Sequence, residues 1–176
     1  MKLPIAYYGD PILRKKCISV DEITDEIRVL VEDMLETMRE NNGIGLAAPQ
    51  VHEGFRIFVT QVPYENEQDE WQEGTVRVYI NPTIISYSNE THIDSEGCIS
   101  IPTLRSDVER PYKITVKATD IDGNSFELNL EGLEARCVLH ENDHINGVLF
   151  IDRIKGKERK LLEPKLRKIK KDYSKK

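Results

Sequence analysis

The segment His140-Glu141-Asn142-Asp143-His144 constrains this chain more than any other stretch. Its surroundings read as a helix from about Glu131 to Asn146, with Gly147 as the stop. At a spacing of i and i+4, both imidazoles stand on one face of that helix, where they can bind one metal ion. Glu141 lies beside them, able to accept a proton from an attacking water. A five-residue pattern also arises by chance, and the alternative is a helix that carries two surface histidines.

Two histidines do not complete a catalytic site, which needs a third protein ligand and a position left open to water. The remaining histidines are His52 and His92, and His52 lies in a loop-like stretch. The other candidate is Cys98 in Ser95-Glu96-Gly97-Cys98-Ile99-Ser100-Ile101-Pro102, where it follows a glycine and is expected to open a short strand. A thiolate suits a borderline or soft ion such as Zn²⁺ or Fe²⁺. The three cysteines give no disulfide framework, which fits a reducing compartment, and Cys17 and Cys137 read as small buried hydrophobes. Upstream, Gly43-Ile44-Gly45-Leu46-Ala47-Ala48-Pro49-Gln50 combines small residues, which let another backbone approach, with an amide donor at Gln50. It lacks the spacing and Lys-Ser/Thr ending of a phosphate loop, and the plain alternative is a helix-to-strand turn.

The rest of the chain supplies the frame. From Thr24 to about Asn42, the apolar residues Ile27, Leu30, Val31, Met34, Leu35 and Met38 keep to one helical face, with Thr24 as cap and Gly43 after the end. Arg56 to Val62 and Val76 to Ile80 read as strands, separated by an acidic exposed loop from Glu65 to Gly74. Asn81-Pro82 is expected to break the second strand before Thr83 to Ser88 extends again. Lys113 to Asp120 and Phe126 to Leu130 form a hairpin around Asp122-Gly123. A last helical region begins near Lys157, and Pro164 inside it predicts a kink or two short helices. The expected class is α+β: antiparallel strands packed around a helix of the C-terminal half, with an N-terminal amphipathic helix and a basic C-terminal helix. All 176 residues suit one domain, with a basic tail from about 153 to 176.

That tail holds 12 Lys or Arg against 3 acids, whereas the preceding 152 residues hold 13 against 28. A polyanionic partner would therefore meet the tail, unless the tail is simply a solvated helix. No apolar run approaches the ~20 residues that span a bilayer, and the first residues show neither a secretory h-region nor a transit-peptide composition. A cytoplasmic protein is the expectation.

Taken together, the three motifs resemble those of the peptide deformylase family. G-x-G-x-A-A-x-Q is Gly43 to Gln50, E-G-C-x-S is Glu96 to Ser100, and H-E-x-D-H is His140 to His144, while Tyr8 to Arg14 is similar to the family's opening segment. The resemblance runs from about residue 3 to 155. It implies a hydrolase of protein biosynthesis that removes the formyl group from the N-terminal methionine of nascent chains and releases formate. It further implies one divalent ion on Cys98, His140 and His144, with Fe²⁺ in the cell and Zn²⁺ or Ni²⁺ as substitutes. Glu141 would carry the proton from water to the departing amine. The Gln50 amide and the backbone N–H of Ile99 would meet the charge on the formyl oxygen. Gly45, Gly97 and Arg105 would face the extended substrate. Glu96 is a candidate to hold a ligand histidine or to pair with Arg110, and Asp143 to order the helix.

Two residues depart from the family pattern. Leu139 stands where the bacterial family often has Gln, and Arg136 stands near an apolar wall of the methionine pocket, which its stem would cover or its head make more polar. Two other readings compete. A small zinc endopeptidase shares H-E-x-x-H but lacks Cys98 and the Gly43 to Gln50 segment. A ribosome- or RNA-binding protein with a structural metal fits the tail but lacks a fourth ligand. An enzyme acting on nascent chains could also dock near ribosomal RNA through Lys165, Arg167, Lys168, Lys170 and Lys171. The oligomeric state stays open, a monomer being the default.

Overall fold

The chain is described by a computed structural model that covers residues 1–174. Lys175 and Lys176, the last two cations of the basic tail, lie outside the described residues.

The architecture is mixed α and β, with antiparallel sheets and three α-helices. Helix α1 (Asp25–Glu40) starts where the sequence places it, because the Thr24 hydroxyl accepts a bond from the Ile27 N–H at 3.3 Å. Its buried stripe, Ile27, Val31, Met34 and Met38, packs with Leu46, Val51, Ile57 and Val59. Those partners come from strand β1 (Gly45–Ala47), a 3₁₀ turn at Ala48–Val51, and strand β2 (Ile57–Gln61). The acidic loop after β2 contains a small ribbon of β3 (Tyr64–Glu65) and β4 (Trp71–Gln72).

Strand β5 (Val76–Tyr87) runs through Asn81-Pro82 instead of breaking there. Pro82 cannot donate to a ladder, so the chain absorbs the pair as a register shift between Ile80 and Thr83. Asn81 adopts φ of 51°, a conformation this residue tolerates, and its side-chain amide bonds both the N–H and the carbonyl of Val20 at 2.8 Å. After strand β6 (Thr91–Cys98) and strand β7 (Ile101–Pro111), the chain forms the hairpin of β8 (Lys113–Thr119) and β9 (Ser125–Glu131) around Asp122-Gly123. The main sheet has the order β1-β2-β5-β8-β9, and β6 pairs with β7 alone.

Helix α2 (Gly132–Ile145) carries the histidines and is buried almost all round, from Ala135 to Glu141 and from Asp143 to Ile145. One side packs on Phe58, Tyr79, Ile114 and Val116 of the main sheet. Leu139, one of the two departures from the family pattern, belongs to that apolar cluster. Helix α3 (Gly156–Tyr173) is one helix through Pro164, not two. Pro164 is exposed, and Leu162, Leu166 and Ile169 anchor both sides of it in the core. No helix among the described residues is long and apolar enough to cross a membrane.

Gly147 ends α2 with φ of +75°, and a Cβ there would lie 2.6 Å from the Arg14 carbonyl oxygen. Gly123 has a similar φ of +86° but open space around it. Alanine at Gly123 is therefore expected to cost about 1–2 kcal/mol for its backbone alone. Alanine at Gly147 should cost clearly more, and thermal melts of the two variants check the difference, at about 2–4 °C per kcal/mol for a chain this size.

Candidate metal centre

Three side chains from two parts of the fold converge. His140 and His144 come from α2, Cys98 from the end of β6, and one ligand atom of each lies within 4.8 Å of the others. Cys98 closes its strand; it does not open one as the sequence suggested. The cause is an irregularity at the hairpin tip. Gly97 pairs with Arg105 but Cys98 pairs with Ile101, so β7 bulges at residues 102–104, where Thr103 takes φ of 67°. Such a bulge re-aims the residues at a hairpin end, here Cys98 toward α2.

The Cys98 Sγ lies 3.3 Å from the His144 Nε2. Tetrahedral coordination at ordinary metal–sulfur and metal–nitrogen lengths separates two such donors by roughly 3.5 Å, so the spacing fits an ion between them. His140 spends its Nδ1 on the Glu96 carboxylate at 2.9 Å, which leaves Nε2 for the centre. Burial, and then the positive charge on His140 and Arg110, keep the His144 pKa well below the ordinary histidine value and its ring neutral, as a ligand must be. Burial works against a charged His140 too, but its bonds to Cys98 and Glu96 outweigh burial and raise its pKa. Surroundings that favour a proton there also favour a divalent cation in the proton's place. The other two histidines stand elsewhere: His52 is half-exposed near Asp10, and His92 packs edge-on against Tyr112.

Glu96 sits at the middle of a buried ionic cluster. Its carboxylate accepts from Arg110 Nε at 2.6 Å and Nη2 at 2.9 Å, from Arg136 Nη1 at 2.6 Å, and from His140. Arg110 also donates to Asp143 at 3.0 Å, and Asp143 accepts from Arg153 at 2.7 Å. Both alternatives weighed for Glu96 hold at once, since it bonds the histidine and pairs with Arg110. Arg136 is not at a polar rim. It is 3% exposed, with its head turned onto Glu96 and the carbonyls of Val108 and His92. Sequence reasoning missed that cluster role, because the partners lie 28 to 44 positions away and nothing local signals them.

A cavity of about 510 Å³ opens beside Cys98 and His140, bounded by Gly45, Gly97, Ile99, Arg105 and Glu141 among others. Burial pushes the Glu141 pKa up to about 7, and its Oε2 is buried without a hydrogen-bond partner. Gln50 is fully buried in its 3₁₀ turn. Its Oε1 accepts from the Ala47 N–H at 2.9 Å, so its NH₂ group points to Cys98 at 3.5 Å and Ser100 Oγ at 3.2 Å. Ser100 had no assigned role from sequence; it is fully buried and its carbonyl also accepts from the Tyr8 N–H. Gly45 is where β1 meets α2: a Cβ would lie 2.8 Å from the Cys137 Sγ and 3.0 Å from the Glu141 Cγ. Gly97 stands under the Arg105 guanidinium, which donates to the Ser95 hydroxyl and carbonyl.

Burial alone would raise the Glu96 pKa, but its bonds with His140 and Arg110 hold it well below the ordinary carboxylate range. A carboxylate with a depressed folded pKa adds stability above its unfolded pKa, and that stability is lost as pH falls from there toward the folded value. Glu96→Gln should therefore cost about 3–5 kcal/mol at pH 7, since it leaves buried cations short of a partner. The variant should also lose less further stability than wild type below about pH 4, as denaturant titrations across that range would reveal.

The comparisons with known proteins agree with this geometry. A family model described as polypeptide deformylase matches residues 2–160. A protein named peptide deformylase 1 from Clostridium perfringens is 51% identical over 148 residues, which are 84% of this chain and 95% of that protein. The crystal structure of peptide deformylase from Ehrlichia chaffeensis superposes with a TM-score of 0.88 at 36% identity, covering 98% of each chain. That of a peptide deformylase from Synechococcus elongatus, in complex with actinonin, gives 0.82 at 38% identity over 98% of this chain and 88% of the other. A match over nine-tenths of the sequence, with the site formed from the residues that carry it, shows that this chain belongs to the polypeptide deformylase family.

Proposed function

We propose that this chain removes the formyl group from the N-terminal formyl-methionine of newly made polypeptides, and that Cys98, His140 and His144 hold the divalent ion the reaction needs. The observation that carries the reading is the convergence of these three donors beside a buried carboxylate, one oxygen of which has no hydrogen-bond partner, in an open cavity. A bound ion supplies Lewis acidity, which polarises the formyl carbonyl and makes water a competent nucleophile near neutral pH. Fe²⁺ is the proposed ion in the cell, with Zn²⁺ or Ni²⁺ suited to the same donors.

The protein's own groups do the rest. Glu141 takes a proton from the attacking water on its carboxylate and later delivers it to the amine nitrogen as the C–N bond breaks. Its buried position and raised pKa let it hold and release a proton near neutrality. The Gln50 NH₂ and the backbone N–H of Ile99 donate to the formyl oxygen as negative charge builds there. Gln50 suits this work because Ala47 fixes which way its amide faces. The substrate enters as an extended strand. β1 is the edge of the main sheet and β6 has only β7 beside it, so Gly45 and Gly97 bound the cavity from two free edges. Arg105 lies over Gly97 at the same cavity, which supports a place for it beside the substrate.

We also propose that residues 1–176 work as one cytoplasmic unit, as a monomer, whose tail docks near ribosomal RNA. Lys165, Arg167, Lys168, Lys170 and Lys171 are all exposed, outside the buried stripe of Leu162, Leu166 and Ile169. An endopeptidase is disfavoured by family membership, and a purely structural metal by a three-donor site that opens on a cavity.

Anaerobically prepared protein loaded with Fe²⁺ or Ni²⁺ is expected to release formate from formyl-Met-Ala-Ser. Glu141→Ala should lower kcat by about 10²–10⁴ with metal content unchanged. Gln50→Ala should lower it by about 10²–10³. Formate release that survives Glu141→Ala would remove the proton-transfer role, and none from the loaded wild type would remove the function. Replacing the five tail cations by Gln should abolish salt-sensitive ribosome binding in a sedimentation assay while leaving tripeptide turnover intact.

A further inference from the structure

We infer that Arg136 is a positioning residue for the metal centre, a clamp that ties the helix of the two histidines to the hairpin of the cysteine and so sets the ligand spacing. The inference rests on the metal-dependent reading above. The centre is divided between two bodies of structure, α2 with His140 and His144, and the β6–β7 hairpin with Cys98. Arg136 stands one helical turn before His140 and spans the gap. Its Nη1 donates to Glu96 Oε2 at 2.6 Å and to the Val108 carbonyl at 2.8 Å, and its Nη2 to the His92 carbonyl at 2.9 Å. Two of these acceptors lie on β6 and one on β7, with Val108 paired to Asp94, midway between His92 and Glu96.

This one side chain therefore grips both hairpin strands from the ligand helix, and it holds the carboxylate that orients His140. Lining the cavity is not a sufficient account of it. An apolar side chain of the same length would do that without bringing a charge inside, and the Arg136 Nε is buried with no acceptor among the described residues. The guanidinium is used at its far end, away from the helix. Glu96 keeps a two-point pairing with Arg110 when Arg136 is removed, so the carboxylate is not stranded and Arg136→Met is expected to fold.

The test uses the full chain loaded with Co²⁺, whose visible bands report ligand geometry and the thiolate. Arg136→Met and Arg136→Lys are compared with wild type for spectrum, for Co²⁺ loss to a chelator, and for kcat and KM with formyl-Met-Ala-Ser and formyl-Leu-Ala-Ser. Arg136→Met should lose Co²⁺ about 10–100 times faster, the scale on which the groups behind metal ligands act. Its bands should shift, and kcat should fall alike for both substrates at little-changed KM. Arg136→Lys, which keeps the charge but cannot span all three acceptors, should recover part of each loss. Wild-type spectrum and release rate in Arg136→Met would overturn the inference, and a change confined to KM and to Met-over-Leu preference would assign Arg136 to the pocket wall instead. If Arg136→Met does not fold, the lysine variant decides, and release from it at the wild-type rate overturns the clamp. A wild type that shows no thiolate–Co²⁺ band overturns the metal reading itself and the clamp with it.

Discussion

The Glu96 carboxylate is the group on which the site depends. It is 5% exposed, and a carboxyl so placed would ordinarily take up a proton to escape its own desolvation. Its bonds with His140 and Arg110 prevent that, and the charge it keeps fixes the His140 ring with Nε2 toward Cys98 and His144. Arg110 carries the linkage onward to Asp143, which also accepts from Arg153. Two strands and the ligand helix are thus joined by ion pairs in a low-dielectric interior, where a missing member is far more costly than at the surface. The half-exposed Arg153 ties on the turn before α3. The apolar clusters on either side of α2 exclude water from this cluster and keep its charges strong.

Around this ionic cluster, the backbone is arranged to leave room. The main sheet ends at β1 and the hairpin ends at β6, and the cavity lies where these edges face each other across α2. Gly45 allows β1 to approach α2 more closely than any side chain would permit, which brings Glu141 beside the edge strand. Gln50 follows within the same connection and is oriented by the backbone of Ala47. Edges, carboxylate and amide therefore arrive together because one short segment, Gly43 to Gln50, joins α1 to the sheet at that point.

Much of this was readable in particular residues. Helix α1 carries its own cap and an apolar stripe of which four residues are buried, both local properties that survive in the fold. The β8–β9 hairpin shows alternation and a turn signal, also local. Cys98 and the two histidines could be named as ligands from resemblance, but their meeting depends on a bulge opposite Gly97 that no nearby residue signals. The long β6–β7 hairpin went unread because polar residues occupy both its faces, and charges such as Glu96 and Arg110 belong inside only as partners. Pro164 and Asn81-Pro82 misled because local rules treat proline as a break. Tertiary anchors held α3 together, and a register shift absorbed the pair in β5.

By itself, the sequence determined the helix bearing two histidines one turn apart, the amphipathic N-terminal helix, the basic tail, and through its three motifs the family. Each of these depends on neighbours within a few positions, where periodicity and capping act directly. Only the tertiary structure brought Cys98 to the two histidines and left His52 and His92 elsewhere. It also turned the head of Arg136, which the sequence left either over the methionine pocket or at its rim, onto Glu96. The physical reason is common to both: pairing between charges and donors 40 or more residues apart is set by how sheet, hairpin and helix pack, and no local pattern in the chain encodes that distance.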